Sequence, residues 1–142
     1  MIKGINRKAT DMHATLNPYI NFGGKSREAM EFYKSVFGGE LTINTFGDMK
    51  VPNAPADGVM HAQLAVDSVA LLMASDGMDA VPISGFSLSL SGHNGDELRE
   101  YFVKLSEGGQ ITKELSKESW GDEFGMVQDK FGINWMVNIT AN

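Results

Sequence analysis

His61 sits in the run His61-Ala62-Gln63-Leu64-Ala65-Val66, where polar and apolar residues alternate. In a strand that spacing turns His61 and Gln63 to one face and Ala62 and Leu64 to the other. An imidazole titrates near neutrality, so His61 is the candidate catalytic residue for moving a proton. Alternation elsewhere gathers Tyr19, Asn21, Ser87, Ser89, Asn134, Met136 and Asn138 on the same kind of surface. Of these, Tyr19, Asn21, Gln63, Ser87, Asn134 and Met136 are candidate ligand-binding residues. They would line a polar, almost uncharged cavity suited to a small polar organic molecule. Three readings of His61 stand together: a hydrogen-bonded strand histidine at the rim, an acid–base or ligand-binding group, and a metal ligand. Asp76 could cap a turn or orient His61, and the cap is favoured. Trp120, followed by Gly121, Asp122 and Glu123, is a further candidate ligand contact. It could form a lid carrying a carboxylate or pack on a sheet edge. His13 and His93 fall in an arm and a turn and are expected to be solvated.

These groups need strands and helices to hold them. Residues 16–22 predict a short strand closed by Gly23-Gly24. Ser26 is the expected N-cap of a helix with Ala29, Phe32, Tyr33, Val36 and Phe37 at helical spacing, stopped by Gly38-Gly39. Residues 40–46 predict a strand, 47–58 a loop, and 61–66 and 69–75 two further strands. The stretch 69–74 is apolar throughout, which implies burial on both faces or at a subunit contact. The order then starts again: a strand over 86–91, a turn, and a helix from about Asp96 striped by Leu98, Tyr101, Phe102 and Leu105. After Gly108-Gly109 come strands over 110–115, 124–128 and 133–139. Glu31-Phe32-Tyr33 recurs as Glu100-Tyr101-Phe102, with Val36 and Leu105 at the same offset. A half of about 60 residues cannot close a core alone, so two such halves must pack together. The expected fold is α+β: two βαβββ modules over 16–79 and 85–142, helices outside and a concave mixed sheet inside. Residues 1–15 form an arm. Trp135, Met30, Met73 and Met126 are expected in the core.

With 142 residues, 42% hydrophobic and 21% charged, the composition is that of one globular domain. No apolar run approaches the roughly 20 residues of a membrane span, and a net charge of -6 has the wrong sign for gripping nucleic acid. The absence of cysteine excludes disulfides, thiolate nucleophiles and Cys-based metal sites. The first residues lack the apolar core of a secretory signal, so a cytoplasmic location is expected. No G-x-S-x-G elbow, P-loop or G-x-G-x-x-G after a strand is present.

A set of short motifs in fixed order adds to this. They are Pro18-Tyr19, Glu28-Ala29, Phe32-Tyr33, Phe37-Gly38-Gly39-Glu40, His61-Ala62, and Leu72-Met73-Ala74-Ser75-Asp76. Gly85-Phe86, Trp120, Phe124-Gly125, Asp129-Lys130-Phe131-Gly132 and Trp135 complete it. With paired βαβββ modules, the chain resembles the vicinal oxygen chelate superfamily of glyoxalases, bleomycin-resistance proteins and dioxygenases, and within it the PhnB-like group. The resemblance implies a glyoxalase-like fold, a homodimer, and a divalent metal held by His, Glu or Gln on the first and last strands of each module. This chain offers Asn17, Tyr19 or Asn21 on the first strand, no carboxylate or imidazole over 70–75, serines over 86–91, and Met136 near the expected final glutamate. Such donors suit a divalent cation poorly, so no metal is expected. The group is sometimes labelled 3-demethylubiquinone methyltransferase-like, but no glycine loop opening a parallel sheet is present, so methyl transfer is rejected. A glyoxalase-like protein acting on a small molecule is expected, with non-catalytic sequestration of a small molecule or antibiotic as the alternative.

Overall fold

The computed structural model describes residues 14–67, 70–77 and 83–141; the expected arm lies outside them except for Ala14 and Thr15. The first module runs β1 (Tyr19–Asn21), α1 (Ser26–Phe37), β2 (Glu40–Thr45), β3 (Val59–Val66) and β4 (Ala70–Ser75). The second runs β5 (Leu88–Gly92), α2 (Gly95–Ser106), β6 (Gln110–Lys117), β7 (Glu123–Gln128) and β8 (Asn134–Ile139). Among the described residues the two expected βαβββ modules each form a four-stranded mixed sheet, β1-β4-β3-β2 and β5-β8-β7-β6. In each, the first strand pairs parallel to the last and the remaining pairs are antiparallel. Within the apolar stretch 69–74, Leu72 and Ala74 are buried and Met73 is half-buried, on a β4 that lies between β1 and β3.

α1 buries Ala29, Met30, Tyr33 and Val36, one stripe of a 3.6-residue period. Beneath it Ala62, Leu64 and Ala74 are fully buried. In the second module Leu98, Phe102 and Leu105 of α2 and Val127 and Val137 of the sheet are buried in the same way. Burying each Leu or Val contributes about 2 kcal/mol. His61, Gln63, Asn134, Met136 and Asn138 alternate with these buried positions and remain half-exposed on the face without a helix. Met30 is core, but Met73 and Met126, expected there, are half-buried and lie on that open face, level with Tyr19 and Met136 respectively.

The first helix is capped from a distance. Ser26 is its first residue rather than its cap, and Lys25 at the cap position makes no side-chain bond. The Asp76 carboxylate accepts instead from the Gly24 N–H at 2.9 Å and the Ser26 N–H at 3.1 Å, and its other oxygen accepts from the Val59 N–H at 3.2 Å. A negative charge there complements the helix dipole and satisfies otherwise orphaned donors. α2 uses a local cap, Asn94, whose side chain accepts from the Glu97 N–H.

The repeated Gly-Gly has a steric cause. A Cβ on Gly39 would lie 2.3 Å from the Ala65 carbonyl oxygen, and one on Gly109 would lie 2.2 Å from that of Gln128. Each glycine lets the strand after the helix approach its neighbour. Between the modules, Tyr33 packs on Trp135 (ring centroids 5.7 Å), Phe37 on Tyr101 (4.9 Å) and Phe22 on Phe131 (6.1 Å). No helix among the described residues is long and apolar enough to cross a membrane.

Candidate functional site

On the open face of the first sheet, Tyr19 and Gln63 both sit opposite Met73, on the two flanks of β4. His61 lies two residues before Gln63 on the same face. The Tyr19 hydroxyl is 3.1 Å from His61 Nδ1, and His61 Nε2 is 3.3 Å from Gln63 Oε1. With the Gln63 carbonyl as acceptor, Nε2 carries the ring proton and Nδ1 accepts from the Tyr19 O–H. Tyr19 is 54% exposed, so its hydroxyl is open to a ligand while its proton points at a base. Such an arrangement can serve as a relay, in which an imidazole receives the proton of a neighbouring phenol. Asn21 lies beside Ser75 on the same face, and its carboxamide oxygen accepts from the Gly23 N–H at 2.8 Å.

The matching face of the second sheet is different. Met136 lies between Ser89 and Met126, and Asn134 opposite Gln128. Ser87 precedes β5 and is exposed. Trp120 is 61% exposed with its ring 6.2 Å from Phe124. Lys113 pairs with Glu118 and donates to the Phe124 carbonyl at 3.1 Å. The structure thus joins Tyr19, His61 and Gln63. No hydrogen bond, ion pair or ring contact links them to Ser87, Trp120, Asn134 or Met136 among the described residues.

The acids near Trp120 are engaged by other groups of the chain. Asp122 accepts from the Asn138 amide at 3.0 Å and the Ala141 N–H at 2.9 Å, which together hold its carboxyl below the usual range. Glu123 takes a forked ion pair from Arg99, with contacts of 3.0 and 3.2 Å. Asp76 caps α1, and among the described residues no hydrogen bond joins it to His61. His93 is exposed.

Asp129, only 3% exposed, was not singled out by sequence reasoning as a structural group. Its carboxylate accepts from the Tyr33 O–H at 2.6 Å, the Trp135 indole N–H at 2.8 Å, and the backbone N–H groups of Phe131 and Ile133 at 2.8 and 3.1 Å. It ties the helix of one module to the sheet of the other. Burial first, then the neighbouring Asp129 charge, pushes the Tyr33 phenol far above its ordinary pKa. Its sequence signals were the motif Asp129-Lys130-Phe131-Gly132 and an acid at a strand end hemmed by aromatics.

The superfamily's metal does not fit the donors present. The positions named for it carry Tyr19, Asn21, serines and Met136, and no group of three His, Cys, Asp or Glu able to hold an ion occurs among the described residues.

Paired βαβββ modules with one open sheet face each define a glyoxalase-like fold. A protein of the glyoxalase/bleomycin resistance/dioxygenase superfamily from Sphaerobacter thermophilus shares it at a TM-score of 0.57 and 18% identity, over 91% of this chain and 99% of that one. Residues 14–138 match the 3-demethylubiquinone-9 3-methyltransferase family. Protein YjdN of Escherichia coli is 30% identical, covering 87% of this chain and 94% of its own. Protein PA1353 of Pseudomonas aeruginosa is 38% identical with a TM-score of 0.79, over 92% of this chain and all of that one. The PhnB protein of Bacillus cereus is 23% identical with a TM-score of 0.68, over 89% and 100%. The chain belongs to the 3-demethylubiquinone-9 3-methyltransferase family.

Proposed function

We propose that the chain binds a small polar organic molecule on the open face of the first sheet and exchanges a proton with it through Tyr19 and His61. The hydrogen-bonded series Tyr19–His61–Gln63 carries this reading. An exposed phenol backed by an imidazole, itself oriented by an amide, supplies a donor, an acceptor and a fixed tautomer within one small surface. Asn21 would add hydrogen bonds from the same sheet. Ser87, Trp120, Asn134 and Met136 would contribute from the second module.

Methyl transfer, which the family name carries, is not part of this reading. The fold is two mixed sheets, not the parallel αβ sheet with a glycine loop that such a cofactor would use. Sequestration without reaction is the second reading, favoured by the thioethers, amides and hydroxyls of the second sheet's face. The proposal includes a homodimer, supported by exposed Phe86 and Trp120. A monomer in sedimentation at micromolar concentration would remove that part.

The deciding experiment is a thermal-shift screen over small diketones, thiol conjugates, phosphonates and antibiotics, followed by product analysis on wild type and His61→Ala. A compound that wild type converts and His61→Ala binds unchanged supports proton transfer. Compounds that bind without conversion, with His61→Ala altering affinity alone, would leave a sequestering protein.

A further inference from the structure

A cavity of about 580 Å³ lies at the seam between the modules and shares no residue with the Tyr19–His61–Gln63 series. Its apolar wall is Leu72, Leu88, Leu90, Leu98, Tyr101 and Trp135. Glu97 and Asn94 stand among its polar lining residues. We propose that this cavity binds an apolar primary amine, with the hydrocarbon against the leucines and Trp135 and the ammonium on Glu97.

The Glu97 carboxylate is held in place and has no ion-pair partner among the described residues. One carboxylate oxygen accepts from the Tyr101 O–H at 2.6 Å and the other from the Asn94 side-chain N–H at 2.9 Å. Both donors are neutral, and a carboxylate offers about four acceptor positions, so lone pairs remain for a third donor. Burial, then the bond to Glu97, raises the Tyr101 phenol to about 12, which keeps it a donor at neutral pH. The ion pairs of the described residues join Arg99 to Asp96 and Glu123, Lys104 to Glu100, and Lys113 to Glu118; none reaches Glu97. The net charge of -6 favours cations over anions at such a site. β5 pairs only with β8 among the described residues, so its second edge can present backbone carbonyls to an ammonium group. The volume suits a medium-sized ligand.

Trp135 reports on the cavity. The chain has two tryptophans, so Trp120→Phe leaves Trp135 as the sole tryptophan. In that background, n-butylamine, n-hexylamine, n-octylamine and octanoate are titrated into the full chain at pH 8 and low salt. Octylamine is expected to change the emission saturably, with affinity rising up to about fourfold per added methylene. Glu97→Gln should weaken octylamine binding about fivefold, as for an exposed ion pair, while Glu107→Gln on the surface leaves it unchanged. Octanoate binding as tightly as octylamine, equal losses in the two glutamate variants, or no dependence on chain length would overturn the proposal. So would the absence of any saturable change.

Discussion

On the open face of the first sheet Tyr19, His61 and Gln63 form a hydrogen-bonded series, whereas the same face of the second presents Met126, Met136 and Phe124, with Lys113 tied to Glu118. Under their helices the two modules agree much more closely. Tyr33 and Phe102 are buried at matching positions, as are Val36 and Leu105, and Gly39 and Gly109 permit the same close approach. The repeat is kept where packing demands it and lost where nothing but a ligand would constrain it. Chemistry is therefore expected from one module, with the other serving as scaffold and wall.

The sharpest contrast concerns two carboxylates. Asp129→Ala leaves a phenol, an indole N–H and two backbone N–H groups without their buried acceptor and should cost about 4 kcal/mol in urea unfolding. Asp76→Ala removes a half-buried helix cap and should cost about 2 kcal/mol. Equal losses would mean that the bond between modules contributes no more than a cap within one.

The shared feature can be tested next. Gly39→Ala and Gly109→Ala should each cost about 3 kcal/mol, because the new methyl meets a backbone carbonyl in both modules. Gly38→Ala, where nothing lies within 4 Å, should cost about 1 kcal/mol from its positive φ alone. A large loss at one module's glycine and not the other's would break the equivalence.

A smaller effect separates Tyr33 from its counterpart Phe102. Because the folded state raises the Tyr33 pKa, its contribution is complete below the unfolded value near pH 10 and falls as pH rises above it. Unfolding measured from pH 8 to 11.5 should lose up to about 1.4 kcal/mol per pH unit from this group above pH 10. Tyr33→Phe should flatten that slope, and an unchanged slope would show that Tyr33 ionises freely in the fold.

The element order and the inward and outward faces are legible in sequence because each depends on a local period of 2 or 3.6 residues. Relations between distant residues are not. The cap of α1 comes from Asp76, fifty residues beyond Ser26, and no local pattern points to it. Asp129 has meaning only once Tyr33 of the other module is placed against it. Met73 and Met126 look like core because thioethers are apolar, yet strand parity turns them to the open face. The face shared by Tyr19, His61 and Gln63 follows from alternation. The contact between Tyr19 and His61 follows only from the pairing of β1 and of β3 with β4, registers that local pattern does not encode. The Trp120 loop offers two acids in sequence, but Asn138, Ala141 and Arg99 engage them in space.

Nuclear magnetic resonance of the full chain, with ¹⁵N-labelled histidine and ¹³C-labelled methionine methyls, addresses the division of labour between the modules most directly. In the free protein at pH 8 the His61 ring should show the proton on Nε2 and an accepting Nδ1. Addition of a compound from the screen should shift both His61 nitrogens and the Met73 methyl more than those of Met126 and Met136. A proton on Nδ1, or shifts confined to Met126 and Met136 with His61 unmoved, would contradict the assignment of chemistry to the first module.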